Sequence, residues 1–190
     1  MTSAIAIIQE ARALCVAMDR WLLQLVRSVP PPKLVSLPQG PSYRYVEKRA
    51  SQAMVLLLTK CLSGIRAAAL LIEAGHVQES GMVLRTVDEN SDTVDFLVFA
   101  SAESEEPRIL RRYLDSFFAE EIAHEQYAAK TKVKGRDIVS RRDIANYLSS
   151  HRLSGGDQFS GTNAAMAVHY MLSGFVHGSA SHAFDLYDPR

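Results

Sequence analysis

No phosphate-cradling glycine motif, no Gly-x-Ser-x-Gly elbow and no zinc-finger spacing occurs in this sequence. Nothing in it announces a nucleotide-binding loop, a hydrolase nucleophile or a zinc finger. Cysteine is scarce: Cys15 and Cys61 stand alone, outside any Cys-x-x-Cys pair and among apolar neighbours. Two such residues build no disulfide framework, so a reducing compartment fits and both read as small core side chains. Charge of one sign is also absent. Lys plus Arg and Asp plus Glu are 21 each, so net charge pulls toward neither nucleic acid nor membrane, and such a partner needs a local patch. A signal peptide is not visible, because Met1 to Ile8 has no basic start and Glu10 and Arg12 follow early. The most apolar stretch, Ala53 to Ile72, carries Lys60 and Arg66 near its middle. It reads as a buried core helix and not as a membrane span. The expectation is a soluble, cytoplasmic protein without a membrane.

What is present is helical periodicity. The 190 residues are 47% hydrophobic and 22% charged, which is one globular domain with enough chain to bury a core. Five of the seven prolines fall between Pro30 and Pro41. The chain divides there into an N-terminal helix (1–29), a Pro-rich loop (30–41) and a bundle core (42–190) within one domain. Strand signals are weak and no repeat appears. A second helix is predicted over Ser42 to Ala74, with Val46, Ala50, Ala53, Leu57, Cys61, Gly64, Ala68 and Ile72 in one stripe and Gly75 ending it. A third spans Glu79 to Ala100. A fourth runs from Ser104, as cap, to Ala129. Ser140-Arg141-Arg142-Asp143 has capping-box spacing, with Asp in place of Glu, and starts a short helix to Ser149. A last helix begins near Thr162. Four long helices with short additions make an all-α bundle.

Two faces carry candidate chemistry. On the third helix Arg85 and Glu89 are four apart and can pair, with Asp88, Asp92 and Asp95 on the same face. The plain reading is a solvated face with pairs worth about 0.2–0.5 kcal/mol each. The functional reading is a polar pocket in which Arg85 grips an anion and Glu89 orients it. On the last helix Tyr170, Ser173 and His177 lie opposite an apolar face of Ala164, Ala165, Val168, Leu172, Phe175 and Val176. His177 suits acid–base chemistry, and Ser173 and Tyr170 suit substrate positioning. The plain alternative is that His177 bonds a neighbouring helix or water. His169 and His182 fall off this face and read as surface residues.

Two Glu-x-x-His spacings, Glu73 to His76 and Glu121 to His124, raise a di-metal site of the bundle type. Glu121 and His124 face inward. Glu73 points away from its stripe and Gly75 breaks the helix before His76, so no metal or other cofactor is expected. The basic segment holding Lys130, Lys132, Lys134, Arg136, Arg141 and Arg142 suits phosphate contacts. It has no interleaved aromatic residue for base stacking, and a solvated loop is the plain alternative. The ending Asp188-Pro189-Arg190 follows a helix abruptly, as at a boundary with a further segment.

Two segments carry a resemblance: "GHVQESGMVLRTVDENSDTVDFL" from Gly75 to Leu97, and "YMLSGFVHGSASH" from Tyr170 to His182. With them the chain resembles the HEPN-like helical superfamily, and most of all an uncharacterised bacterial branch of it. The resemblance implies a helical bundle that forms a homodimer. It also implies an RNA-binding protein or metal-independent ribonuclease of a defence system, or else a non-catalytic interaction module. A protein partner, an antitoxin or another system component, goes with it. The ribonuclease members carry Arg, a polar residue, then His, with four to six residues between Arg and His; no histidine here has an arginine at that spacing before it. For the ribonuclease reading, His177 is the acid or base, Arg85 stabilises phosphate charge and Glu89 orients Arg85.

Overall fold

A computed structural model describes residues 4–37, 40–119 and 137–152, with 166, 167, 169, 170, 172, 173 and 176. Among the described residues the chain is mostly helical with one small sheet, as the all-α expectation requires.

Helix α1 covers Ala4–Ser28. The Pro-rich segment that follows is not all loop. Strands β1 (Lys33–Leu37) and β2 (Gly40–Arg44) pair antiparallel, from Lys33 opposite Arg44 to Leu37 opposite Gly40. Both strands of a two-stranded sheet are edges, so Pro41 sits in β2 without interrupting an inner ladder. This sheet also displaces the next helix. Helix α2 covers Ala50–Glu73 and starts eight residues later than the sequence predicts. Just before it, Lys48 has a left-handed backbone (φ 54°), which a continuous helix excludes. The start is then set by Gln52, which is fully buried. Its Oε1 accepts from the Arg49 backbone N–H (3.0 Å), and its Nε2 donates to Glu47 (2.8 Å). That bond from Gln52 is the main reason the Glu47 carboxyl lies below its ordinary range.

At the other end, Gly75 (φ 85°) stops α2 as its sequence position predicts. The backbone N–H of His76 donates to Leu71 (2.8 Å) and that of Gly75 to Ile72 (3.1 Å), the paired bonds of a Schellman stop. Helix α3 (Val77–Ser101) then returns along α2 in the most extensive pairing among the described elements. Gly64 makes this close: a Cβ placed there would lie 2.5 Å from Val87 Cγ2. Helix α4 (Arg108–Phe117) begins after Pro107, not at Ser104; residues 102–105 bend ahead of that proline. The predicted extension to Ala129 falls largely outside the described residues. Helix α5 covers Arg141–Arg152. Its predicted capping box is present: the Asp143 backbone N–H donates to Ser140 Oγ (3.1 Å), and the Ser140 N–H donates to Asp143 Oδ2 (2.9 Å).

The core lies between α2, α3, α4 and α5. Ala53, Leu57, Phe96, Leu97, Leu110, Ile144 and Leu148 form one buried cluster. Phe96 is its centre, meeting Tyr113 and Tyr147 edge-on at centroid distances of 5.6 and 5.1 Å. Helix α2 is long and apolar enough to cross a membrane by length and composition. In this fold it lies between α1 and α3, with Arg66 paired to Asp19 of α1. Both cysteines are buried, and burial raises the Cys61 thiol pKa.

Candidate functional site

Helical spacing puts Arg85, Asp88, Glu89 and Asp92 on one face of α3, at i, i+3, i+4 and i+7. Arg85 Nε donates to Glu89 Oε1 at 3.0 Å, the pair that the spacing allows. The capping box at Ser140 aims the first residue of α5 onto the same face. Arg141 Nη2 donates to Asp92 Oδ2 at 2.6 Å and to Asp88 Oδ2 at 2.9 Å, and its Nη1 reaches the Glu89 carbonyl at 3.4 Å. These side chains are part-buried, with 16% of Arg141 and 18% of Asp92 exposed. Burial pushes the Asp88 carboxyl above its ordinary range; Arg141 opposes that rise and Asp92 adds to it.

Arg141 therefore does not join a free basic surface. Its charge is held between two carboxylates, because α5 starts at Arg141 and turns it inward. Arg142 points to solvent. Lys130, Lys132, Lys134 and Arg136 lie outside the described residues.

The last helix is oriented differently from its predicted faces. The described residues among 166–176 are all helical. His169, read from sequence as a surface residue, has only 13% of its side chain exposed, and its Nδ1 lies 3.4 Å from Glu89 Oε1. The two are not aligned as a hydrogen bond, so Nδ1 is buried without a hydrogen-bond partner among the described residues, as is Arg141 Nε. Tyr170 is 67% exposed, while Ser173 is half-buried. Val176, placed by sequence on the apolar face, is 42% exposed. The structure thus leaves Tyr170 exposed and Ser173 half-buried, and brings His169 to Glu89, the carboxylate that also holds Arg85. His177 lies outside the described residues.

A second constellation was not visible in the sequence. Tyr147 donates its hydroxyl to Glu103, beyond the end of α3. His151 Nε2 lies 3.1 Å from the same carboxylate and Nδ1 lies 2.8 Å from the Tyr147 carbonyl. The two rings stack at 4.1 Å. Burial, then the bond to Glu103, raises the Tyr147 pKa. The available signal was Tyr147 and His151 at i, i+4, but the helix was predicted to stop at Ser149.

No protein-family model, no curated protein and no solved structure matches this chain. What the site can do follows from its own charges. Two guanidiniums, Arg85 and Arg141, face three carboxylates, Asp88, Glu89 and Asp92. Among the described residues each of these guanidiniums is already paired with a carboxylate of the chain. Glu73 of the first Glu-x-x-His spacing is engaged by Arg12 at 2.6 Å. Glu121 and His124 lie outside the described residues. Among the described residues no three His, Cys, Asp or Glu side chains are grouped to hold a metal.

Proposed function

We propose that this protein is a non-catalytic helical interaction module, in which the α3 network holds the bundle together and does not process a substrate. One observation carries this reading: Arg141 of α5 sits between Asp88 and Asp92 of α3, and Arg85 is held by Glu89. Each arginine of the network already has a carboxylate partner inside the chain. A guanidinium so engaged is a clamp between helices, and displacing it onto a ligand phosphate would leave part-buried carboxylates unpaired.

A second reading, the metal-independent ribonuclease of the HEPN-like type, is favoured by one detail. Arg85 and His169 converge on the same carboxylate of Glu89. An imidazole beside an arginine is the group that acid–base cleavage of a phosphodiester uses, with Ser173 and Tyr170 on the same helix. In that reading the partner is RNA, and the protein works in a defence system.

One experiment separates the two. A mixed small-RNA pool is incubated in EDTA, at low salt, with wild type, His169→Ala and His177→Ala. The module reading expects no cleavage and no salt-sensitive binding by any of them. Cleavage by wild type that either alanine abolishes, with both variants folded, overturns the module and establishes the ribonuclease. Binding without cleavage, weakening steeply with salt, overturns it in favour of an RNA-binding protein.

A further inference from the structure

Helix α1 repeats apolar residues at seven-residue intervals in two adjacent stripes. Ile8 and Cys15 are buried against the bundle, with Leu22 half-buried below them. One residue back, Ile7, Leu14 and Trp21 are 51%, 48% and 66% exposed. A seven-residue interval keeps side chains close to one line down a helix. The first stripe meets α2. The second is left about half exposed or more along its length.

We infer that the Ile7–Leu14–Trp21 stripe is a self-association seam, on which α1 of a second copy of this chain lies antiparallel. The spacing is palindromic about Leu14. A twofold axis there sets Leu14 on Leu14 and Ile7 on the partner's Trp21, so the largest side chain meets a smaller one at both ends. The charges agree with this direction. At about 100° per residue, Glu10 and Arg20 lie on the same side of the stripe, roughly 40° and 120° from Leu14. The twofold then brings each Glu10 within about 3 Å, along the helix axis, of the partner's Arg20. Both side chains are exposed, and neither has an ion-pair partner among the described residues. A parallel pair would instead stack Trp21 on Trp21 and put Glu10 and Arg20 on opposite sides. Ala13 and Ala17, on the Glu10 side, leave room for close approach.

The 25-residue helix is about 37 Å long and about 10 Å wide. Its footprint is on the order of 400 Å² per copy, about 800 Å² in total, below the size of stable specific interfaces and in the range of weak, transient association. Dissociation in the range of about 1–100 μM is therefore expected. The inference names a partner for the proposed module, but it stands on α1 alone, so a failed seam and a positive RNA assay are separate results.

Sedimentation of the full chain from about 5 to 200 μM tests it, with the sole tryptophan reporting burial of the seam. The expected result is a monomer–dimer equilibrium, with Trp21 emission moving to the blue as the dimer forms. Leu14→Glu should weaken association by at least tenfold with unchanged helicity. Glu10→Arg should weaken it about tenfold, and Glu10→Arg with Arg20→Glu should restore it to within about threefold. A wild type monomeric at about 200 μM overturns the seam. So does a dimer indifferent to Leu14→Glu and to the charge swap. A blue shift seen only with vesicles containing anionic lipid would overturn it as well and assign the stripe to a lipid surface.

Discussion

Replacing Arg141 by methionine keeps most of the side-chain length but removes the charge that two part-buried carboxylates share. Breaking a fully buried ion pair by deleting one partner costs about 3–5 kcal/mol, because the other charge is left without compensation. Here 27% of Asp88, 18% of Asp92 and 16% of Arg141 remain exposed, so water screens part of that cost. A loss of about 2–3 kcal/mol at pH 7 is expected, or roughly 5–10 °C in Tm for a domain of this size. The pH dependence is more specific than the size. Burial already raises the folded Asp88 pKa, and Arg141 is the strongest group opposing that rise. Without Arg141 it goes higher. A carboxyl whose folded pKa is above its unfolded value takes up a proton on folding as pH falls. Its stabilising contribution is full below the unfolded pKa and is lost as pH rises through the folded one. The Arg141→Met deficit should therefore be largest near pH 7 and shrink toward the ordinary carboxylate range. Adding Asp88→Asn and Asp92→Asn should recover most of it at pH 7. Urea unfolding of the set at pH 7 and near pH 4.5 measures both effects. A deficit below about 0.5 kcal/mol, or one of equal size at both pH values, would refute the clamp.

Gly64→Ala should destabilise the protein by about 1–3 kcal/mol, because its Cβ would lie 2.5 Å from Val87 Cγ2; Val87→Ala in the same chain should relieve most of that loss in a double-mutant cycle. Ser140→Ala should cost about 1 kcal/mol at pH 7 by removing half of the α5 capping box. The backbone and hydroxyl of Ser140 hold the Asp143 pKa below its ordinary range. The hydroxyl's share of that contribution is present above the unfolded pKa and fades as pH falls through the lowered folded value, so the gap between wild type and Ser140→Ala should narrow in acid without closing, because the bond from the Asp143 N–H to Ser140 Oγ does not titrate, as thermal melts across pH would record.

Local signals in the sequence were read well where the physics is local. Gly75 ends α2, Ser140 and Asp143 cap α5, and Arg85 pairs with Glu89, each within a few residues of chain. The β1–β2 pair was missed because prolines at 30–32 and 41 look like loop, and an edge ladder tolerates Pro41 where a central one does not. Residue faces on the last helix were misread for another reason. An apolar stripe predicts which side of a helix is buried only when nothing polar waits on the bundle. Here α3 offers Glu89, so His169 turns inward while Val176 is left exposed. The surroundings of Arg141 follow the same rule. Its neighbours in sequence are basic, but its neighbours in space, 49 and 53 residues back, are acidic.

The balance of 21 basic and 21 acidic side chains has a structural use. Arg12 is held by Glu73, Arg66 by Asp19, Arg112 by Asp137 and Arg141 by Asp88 and Asp92. Each of these pairs joins segments distant in sequence, helix to helix except for Arg112, which meets the loop before α5. The exposed ones orient helices more than they stabilise them. Their larger consequence is that these charges are neutralised at short range and add little to a field that could steer a distant partner. Large apolar side chains, by contrast, stay open along α1, where Ile5, Ile7, Leu14, Trp21 and Leu23 are each about half exposed or more. A surface of that kind selects partners by shape and apolar contact, with a few charges fixing direction. Recognition by this protein is thus expected to persist at high salt, whereas binding of a nucleic acid would not.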